Sequence, residues 1–275
     1  MCTTSQVSVT PNPTSDTAQR LFAGLTSMMQ FDELEVRGII RGLIAPSERE
    51  KCFILIYWRT AANVMSLSKL NSRQHFQAIT MIARSLFEMS VDLKLIDKIP
   101  NAVEKMIAFI DVEKLRCARK IVKFKHNHPS SIVDDTIYQS FITSEEVRIE
   151  ATKAKLWPGA GKVDGFANMN LARRSILAGL AYEEVYEVEQ PRMSWQVHSG
   201  LTGVANLKAE TFTHMAGVAI GSCIKSYETI LTAMIDEFQI SKADEKIKDK
   251  LGVSKLLPWE DDPLKAQQLY TEAVG

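Results

Sequence analysis

The sequence predicts an all-α protein, a multi-helix up-and-down bundle in a single domain, and three observations carry that prediction. Glycine and proline are sparse, 13 and 9 in 275 residues, so few positions punctuate the chain. Apolar residues recur at spacings of three and four over long tracts, as in amphipathic helices. Almost nowhere does the two-residue alternation of a strand persist. With 45% hydrophobic residues, a chain of this length also has the material for a sizeable core.

Taken in order, residues 1–16 are rich in Ser, Thr and Pro, with neither a basic start nor an apolar segment of signal-peptide length. They are expected to form a disordered leader. The helical domain is expected over 17–252 and a tail over 253–275. Helices are predicted at 16–44, 48–70, 72–98, 101–126, 131–156, 170–189, 193–203, 206–239 and 241–251. Ser47 with Glu50, and Thr143 with Glu146, have capping-box spacing and mark two starts. Pro100, Pro129, Pro158 and Pro191 fall between segments, where a missing backbone donor costs least. The run WPGAGKVDGF from Trp157 to Phe166 is the long irregular connection. Phe76, Ile79, Ala83, Leu86, Met89, Leu93 and Ile96 form one stripe, which makes the 72–98 helix a central member of the bundle. Along 206–239, Ala216, Gly217, Ala219, Gly221 and Ser222 interrupt the larger residues and allow close approach of another helix. The G-x-x-x-G spacing of Gly217 and Gly221 has its specific meaning only in membranes.

Charge and cysteine usage narrow the function classes. Lys+Arg and Asp+Glu both total 33, so no global field draws the chain to a polyanion, and any such partner must be held by a local patch. Cys2, Cys52, Cys117 and Cys223 are scattered, which suggests neither a zinc site nor a disulfide framework and fits a reducing cytoplasm. The most apolar run, Cys52 to Trp58, is far short of the ~20 residues of a spanning helix, so no membrane partner is expected.

Several residue groups are candidates for chemistry. Arg192, Ser194 and His198 bring a guanidinium, a hydroxyl and an imidazole into one short segment, which makes it the first place to look for a site. On a regular helix Arg192 and His198 stand about 9 Å apart along the axis and about 120° around it. They therefore cooperate only if Arg192 lies at the irregular entry beside Pro191, or if a second copy completes the site. Tyr182 and Tyr186 lie one turn apart on the preceding helix, where packing at the core edge competes with a binding role. Arg84 and Glu88 share one side of the 72–98 helix, and Gln77, Thr80 and Asp92 continue it; this is either a solvated face or the wall of a cleft. Arg116, Arg119, Lys120, Lys123 and Lys125, followed by His126 and His128, form a run without an acid, either a solvated helix end or a contact for the RNA backbone. Gly159 to Lys162 lacks the spacing and the strand of a phosphate loop and reads as a glycine-rich turn. Nothing in the pattern calls for a metal or cofactor.

These groups resemble a bacterial all-helical family of unknown function with an R-x3-E pattern on a central helix and a later Y-x3-Y followed by S-x3-H. Here they are Arg84 and Glu88, Tyr182 and Tyr186, and Ser194 and His198, within a span of roughly 50–235. That family is similar in turn to the HEPN superfamily of helical bundles, many of whose members are metal-independent ribonucleases with an R-x4-6-H motif at a dimer interface. Arg192 and His198 have that spacing, although Met193 stands where a polar residue is usual and Pro191 precedes the motif. The resemblance implies a cytoplasmic homodimer acting on RNA in stress response or defence, with an antitoxin or other protein partner. Arg192 and His198 would be catalytic, and Ser194, Tyr182, Tyr186, Arg84 and Glu88 would bind or support. The alternative it implies is a non-catalytic module that binds a nucleotide, RNA or protein.

Overall fold

The computed structural model describes residues 16–70, 75–191 and 209–240, with side chains from residue 21 in the first stretch and from 216 in the last. Among these residues the protein is all-helical, a bundle of α1 (Asp16–Phe31), α2 (Arg37–Gly42), α3 (Glu48–Leu67), α4 (Phe76–Leu95), α5 (Ala102–Asn127), α6 (Thr136–Leu156), α7 (Leu171–Ala178), α8 (Leu180–Val188) and α9 (Ala209–Glu237). The expected all-α bundle is what forms. The predicted helices at 193–203 and 241–251, the tail, and all of the 1–16 leader except Asp16, which opens α1, lie outside the described residues.

The bundle is organised around α4 and α9. All seven residues of the predicted α4 stripe, from Phe76 to Ile96, are buried, and α9 lies against them with Ala219, Cys223, Ile224, Tyr227, Ile230 and Met234 sealed from solvent. Over Ala216–Glu237, α9 is long and apolar enough to cross a membrane, but 67% of that stretch is buried inside the bundle, so its apolar surface is used as core. α1 and α3 close this core from the other sides. Gly217 plays no part in close approach, since a Cβ there would meet nothing within 4 Å.

Two smaller clusters extend the core. Phe87, Val91 and Leu95 of α4 meet Phe166, Leu171 and Ala178, with Tyr182, Val185 and Tyr186 of α8 packed on the outside. Val112 and Leu115 of α5 meet Ile149 and Leu156 of α6 and close over Trp157 and Val163. Trp157 donates its indole N–H to Phe166 O at 2.9 Å, so the predicted irregular connection is a packed loop with its ends tied together.

Several element boundaries differ from expectation. The 16–44 helix is interrupted by a π-helical turn, Asp32–Val36, because Asp32 turns its carboxylate inward to Tyr57 Oη (2.6 Å) and Arg37 Nη2 (3.1 Å). The 170–189 segment is two helices, broken at Gly179, whose φ of 131° suits only glycine. Ser47 and Glu50 form the full capping box of α3. Thr143 and Glu146 do not cap: Thr143 lies inside α6 and bonds Gln139 O at 2.9 Å. The start of α6 moves to Thr136 because Ser131 and Asp134 bond backbone N–H groups two residues on and hold 131–135 as turns.

Candidate functional site

Two polar regions and one small cleft emerge on this frame. The first polar region stands on α4. Arg84 Nε donates to Glu88 Oε1 at 3.2 Å, Glu88 faces Arg174 of α7 at 3.7 Å, and Arg174 forms a close ion pair with Asp92 one turn further along α4. The predicted wall of Arg84, Glu88 and Asp92 is therefore an ion-pair chain that docks α7 onto α4, with both ends of the Arg84–Glu88 pair about one-third exposed. Asp92 is half-buried, keeping 24% of its side-chain exposure. Burial pushes its carboxyl up to about 6; Arg174 works against this, Glu88 adds to it, and Arg59 of α3 also opposes it. Thr80 departs from the predicted polar side: it is fully buried and bonds Gln77 O at 2.8 Å.

The predicted tyrosines pack beside this chain. Tyr182 lies against Phe87, the residue before Glu88, with ring centroids 6.4 Å apart, and burial raises the pKa of its hydroxyl. Tyr186 packs on the same apolar cluster, so both sit at the core edge. Arg192, Ser194 and His198 lie outside the described residues, and the structure neither assembles nor separates them; α8 and Pro191 lead directly into that segment.

The second region is a groove of about 370 Å³ between α5, α6 and the 157–166 loop. Arg116, Arg119, Lys120 and Lys123, four of the five cations of the predicted backbone patch, line it. Lys125 does not: its ammonium bonds Pro129 O (3.0 Å) and Ser131 O (2.5 Å) and closes the α5–α6 turn. Two cations missed in the sequence, Lys153 and Lys162, complete the groove from α6 and the loop. The signal for Lys162 was the Gly159–Lys162 turn, which is no phosphate loop yet delivers its lysine to the same place. Acids offset part of the charge. Arg116 pairs with Glu113, Arg119 with Glu146 and Glu150, Lys153 with Glu150, and Lys162 with Asp164. Lys120 and Lys123 hold no ion pair among the described residues.

The cleft, about 140 Å³, opens between α4, α8 and α9. Phe87, Ala181, Tyr182 and Val185 form its walls, and Ser222, Ser226 and Lys225 line it from α9. Sequence reasoning noticed Ser222 only for its size. No group of three or more His, Cys, Asp or Glu among the described residues is arranged to hold a metal ion. Comparison with protein-family models, with curated proteins and with solved structures finds no match to this chain.

Proposed function

We propose that this protein is an RNA-binding helical bundle that holds the phosphodiester backbone in the α5–α6 groove. The observation that supports it is the convergence of six cations from α5, α6 and the 157–166 loop on one surface of a chain with no net charge, two of them, Lys120 and Lys123, without an ion pair among the described residues. Unpaired lysines that meet phosphates release condensed counterions, the main source of backbone affinity. Arg116, Lys120 and Lys123 follow one side of α5 at i, i+4 and i+7, a rise of about 10 Å that suits successive phosphates of one strand. The choice of RNA over other polyanions comes from the HEPN resemblance.

The same resemblance supports a second reading, a metal-independent endoribonuclease of a stress-response or defence system, working in the cytoplasm as a homodimer. The favouring observation is that α8, packed on α4 beside Glu88, ends at Val188, three residues before Pro191 hands the chain to Arg192. In that reading His198 takes the proton of a 2'-hydroxyl, whose oxygen attacks the adjacent phosphorus. The bond from phosphorus to the 5'-oxygen breaks, and that oxygen takes up a proton as it leaves. Arg192 neutralises the phosphoryl oxygens, and Arg84 and Glu88 support the site from α4.

The test uses the full chain and a labelled single-stranded RNA in excess EDTA. Binding should weaken about tenfold or more in Lys120→Glu/Lys123→Glu with the melting temperature unchanged; equal binding by that variant would sink the groove. Cleavage that survives chelation and disappears in His198→Ala carries the nuclease reading, whereas binding without cleavage leaves the module alone.

A further inference from the structure

The cleft between α4, α8 and α9 has the features of a built recognition site. Ser222 and Ser226 are each 5% exposed, line the cleft, and make no hydrogen bond among the described residues. Their hydroxyl oxygens are open to the cleft, whereas the other two hydroxyls of α4 and α9 that line it are turned back onto their own helices: Ser90 bonds Phe87 O at 2.8 Å and Thr229 bonds Lys225 O at 2.9 Å. Helical back-bonding was therefore open to the two serines and is not used. Their donors and acceptors stand one turn apart, about 6 Å along α9, and serve whatever enters the cleft.

The rest of the lining describes the guest. Phe87, Ala181 and Val185 are apolar walls, and Tyr182 presents an aromatic ring whose hydroxyl has no partner among the described residues. An apolar, partly enclosed space with a few polar groups is the usual form of a small-molecule site. At about 140 Å³ the cleft is close to the ~150 Å³ known to accommodate one six-membered aromatic ring, so a fused bicycle would overhang its mouth. Lys225, which lines the cleft between the two serines in sequence, is already engaged within the protein and would share or exchange that partner for an attached phosphate.

We propose that this cleft binds a single pyrimidine base carrying a phosphate, with Tyr182 against the ring face and Ser222 and Ser226 on its polar edge. The inference rests on the RNA-binding reading above for the source of the base, a nucleotide unit of a bound strand, while the ligand chemistry would equally admit a free pyrimidine mononucleotide. It gives the bundle a base preference that the backbone groove cannot supply, since phosphate contacts carry no sequence information.

The probe is uridine 5'-monophosphate, titrated by calorimetry into the full chain, with adenosine 5'-monophosphate alongside, then labelled oligouridylate against oligoadenylate. Uridine monophosphate should bind, and adenosine monophosphate should bind at least about tenfold more weakly. Ser222→Ala/Ser226→Ala should cost uridine monophosphate roughly tenfold, from two lost hydrogen bonds, without lowering the melting temperature, because the hydroxyls have no partners to lose among the described residues. Ala181→Leu, which fills the cleft, should abolish binding of uridine monophosphate. No binding of uridine monophosphate at millimolar concentration, equal binding of the purine, or full binding by either variant overturns the proposal. Lys120→Glu/Lys123→Glu separates the two readings: it should weaken the oligonucleotides and leave uridine monophosphate untouched. If the free nucleotide binds in the cleft while RNA ignores the groove, the cleft stands with a free mononucleotide as its ligand and the groove reading falls. A preference for oligouridylate that vanishes in Ser222→Ala/Ser226→Ala identifies the strand as the source.

Discussion

At the scale of single residues, Asp92 shows how position overrides side-chain identity. Its carboxylate is paired with Arg174, which alone would hold it below the ordinary carboxylate range, yet burial between α4, α7 and Arg59 wins and lifts it from 3.8 to about 6. The folded chain therefore keeps a proton on Asp92 between roughly pH 4 and pH 6 that the unfolded chain has lost. Asp92's contribution to stability is fully present below about pH 4 and declines as pH rises through about 6. Asn in its place carries no proton to lose, so urea unfolding of the natural chain and of Asp92→Asn at pH 4, 5, 6 and 7 should diverge. The natural chain should lose up to about 3 kcal/mol relative to the variant across that window. Stability that instead rises with pH in the natural chain alone would mean that Arg174 outweighs burial. The sequence placed Asp92 on a polar side of α4 but could not show what weighs on it, because Arg174 lies 82 positions away and arrives only through the docking of α7.

At the scale of elements, helix identity was legible and helix interruption was not. Periodicity marked α3, α4, α5 and α9 because each buries a continuous apolar stripe, and the Ser47–Glu50 box fixed a true start. The π-helical turn at Asp32–Val36 left no such sign. Its cause is tertiary: Asp32 is fully buried and accepts from Tyr57 of α3 and Arg37, and Tyr227 of α9 also reaches it. The turn is thus a joint where α1 and α2 are fastened to α3 and α9 through one carboxylate. Asp32→Ala would leave the buried Tyr57 hydroxyl without its acceptor and Arg37 with Glu33 alone, a change expected to cost about 1–3 kcal/mol in denaturant unfolding. A loss under about 1 kcal/mol would show that the joint is dispensable. The site was legible in the same uneven way. Arg116, Arg119, Lys120 and Lys123 stood out as a run, whereas Lys153, Lys162, Arg174 and Ser226 belong to separate elements and acquire their company only when those elements pack.

At the scale of the whole molecule, a neutral chain has sorted its charge across one hairpin. The α5–α6 groove gathers Arg116, Arg119, Lys120, Lys123, Lys153 and Lys162. A second groove, of about 500 Å³, is formed by the same two helices together with Glu48 of α3, and it carries Glu48, Glu104 and Asp111, paired in turn with Lys51, Lys155 and Arg148. Net charge therefore says little about what this surface attracts; the local field at the basic groove decides. That field has a quantitative signature if RNA lies there. Each neutralised phosphate of a single strand contributes about −0.7 to the slope of log affinity against log salt concentration. Lys120 and Lys123 are the groove cations without an ion pair among the described residues, and they exchange no existing partner for a phosphate. Removing both should flatten the slope by roughly 1.4. Arg119→Gln should flatten it less, because Arg119 must first give up Glu146 and Glu150 and those carboxylates would then face the strand. Affinities measured from 50 to 300 mM salt decide the matter: a slope insensitive to Lys120 and Lys123 but reduced by cations elsewhere would move the strand to another face of the bundle.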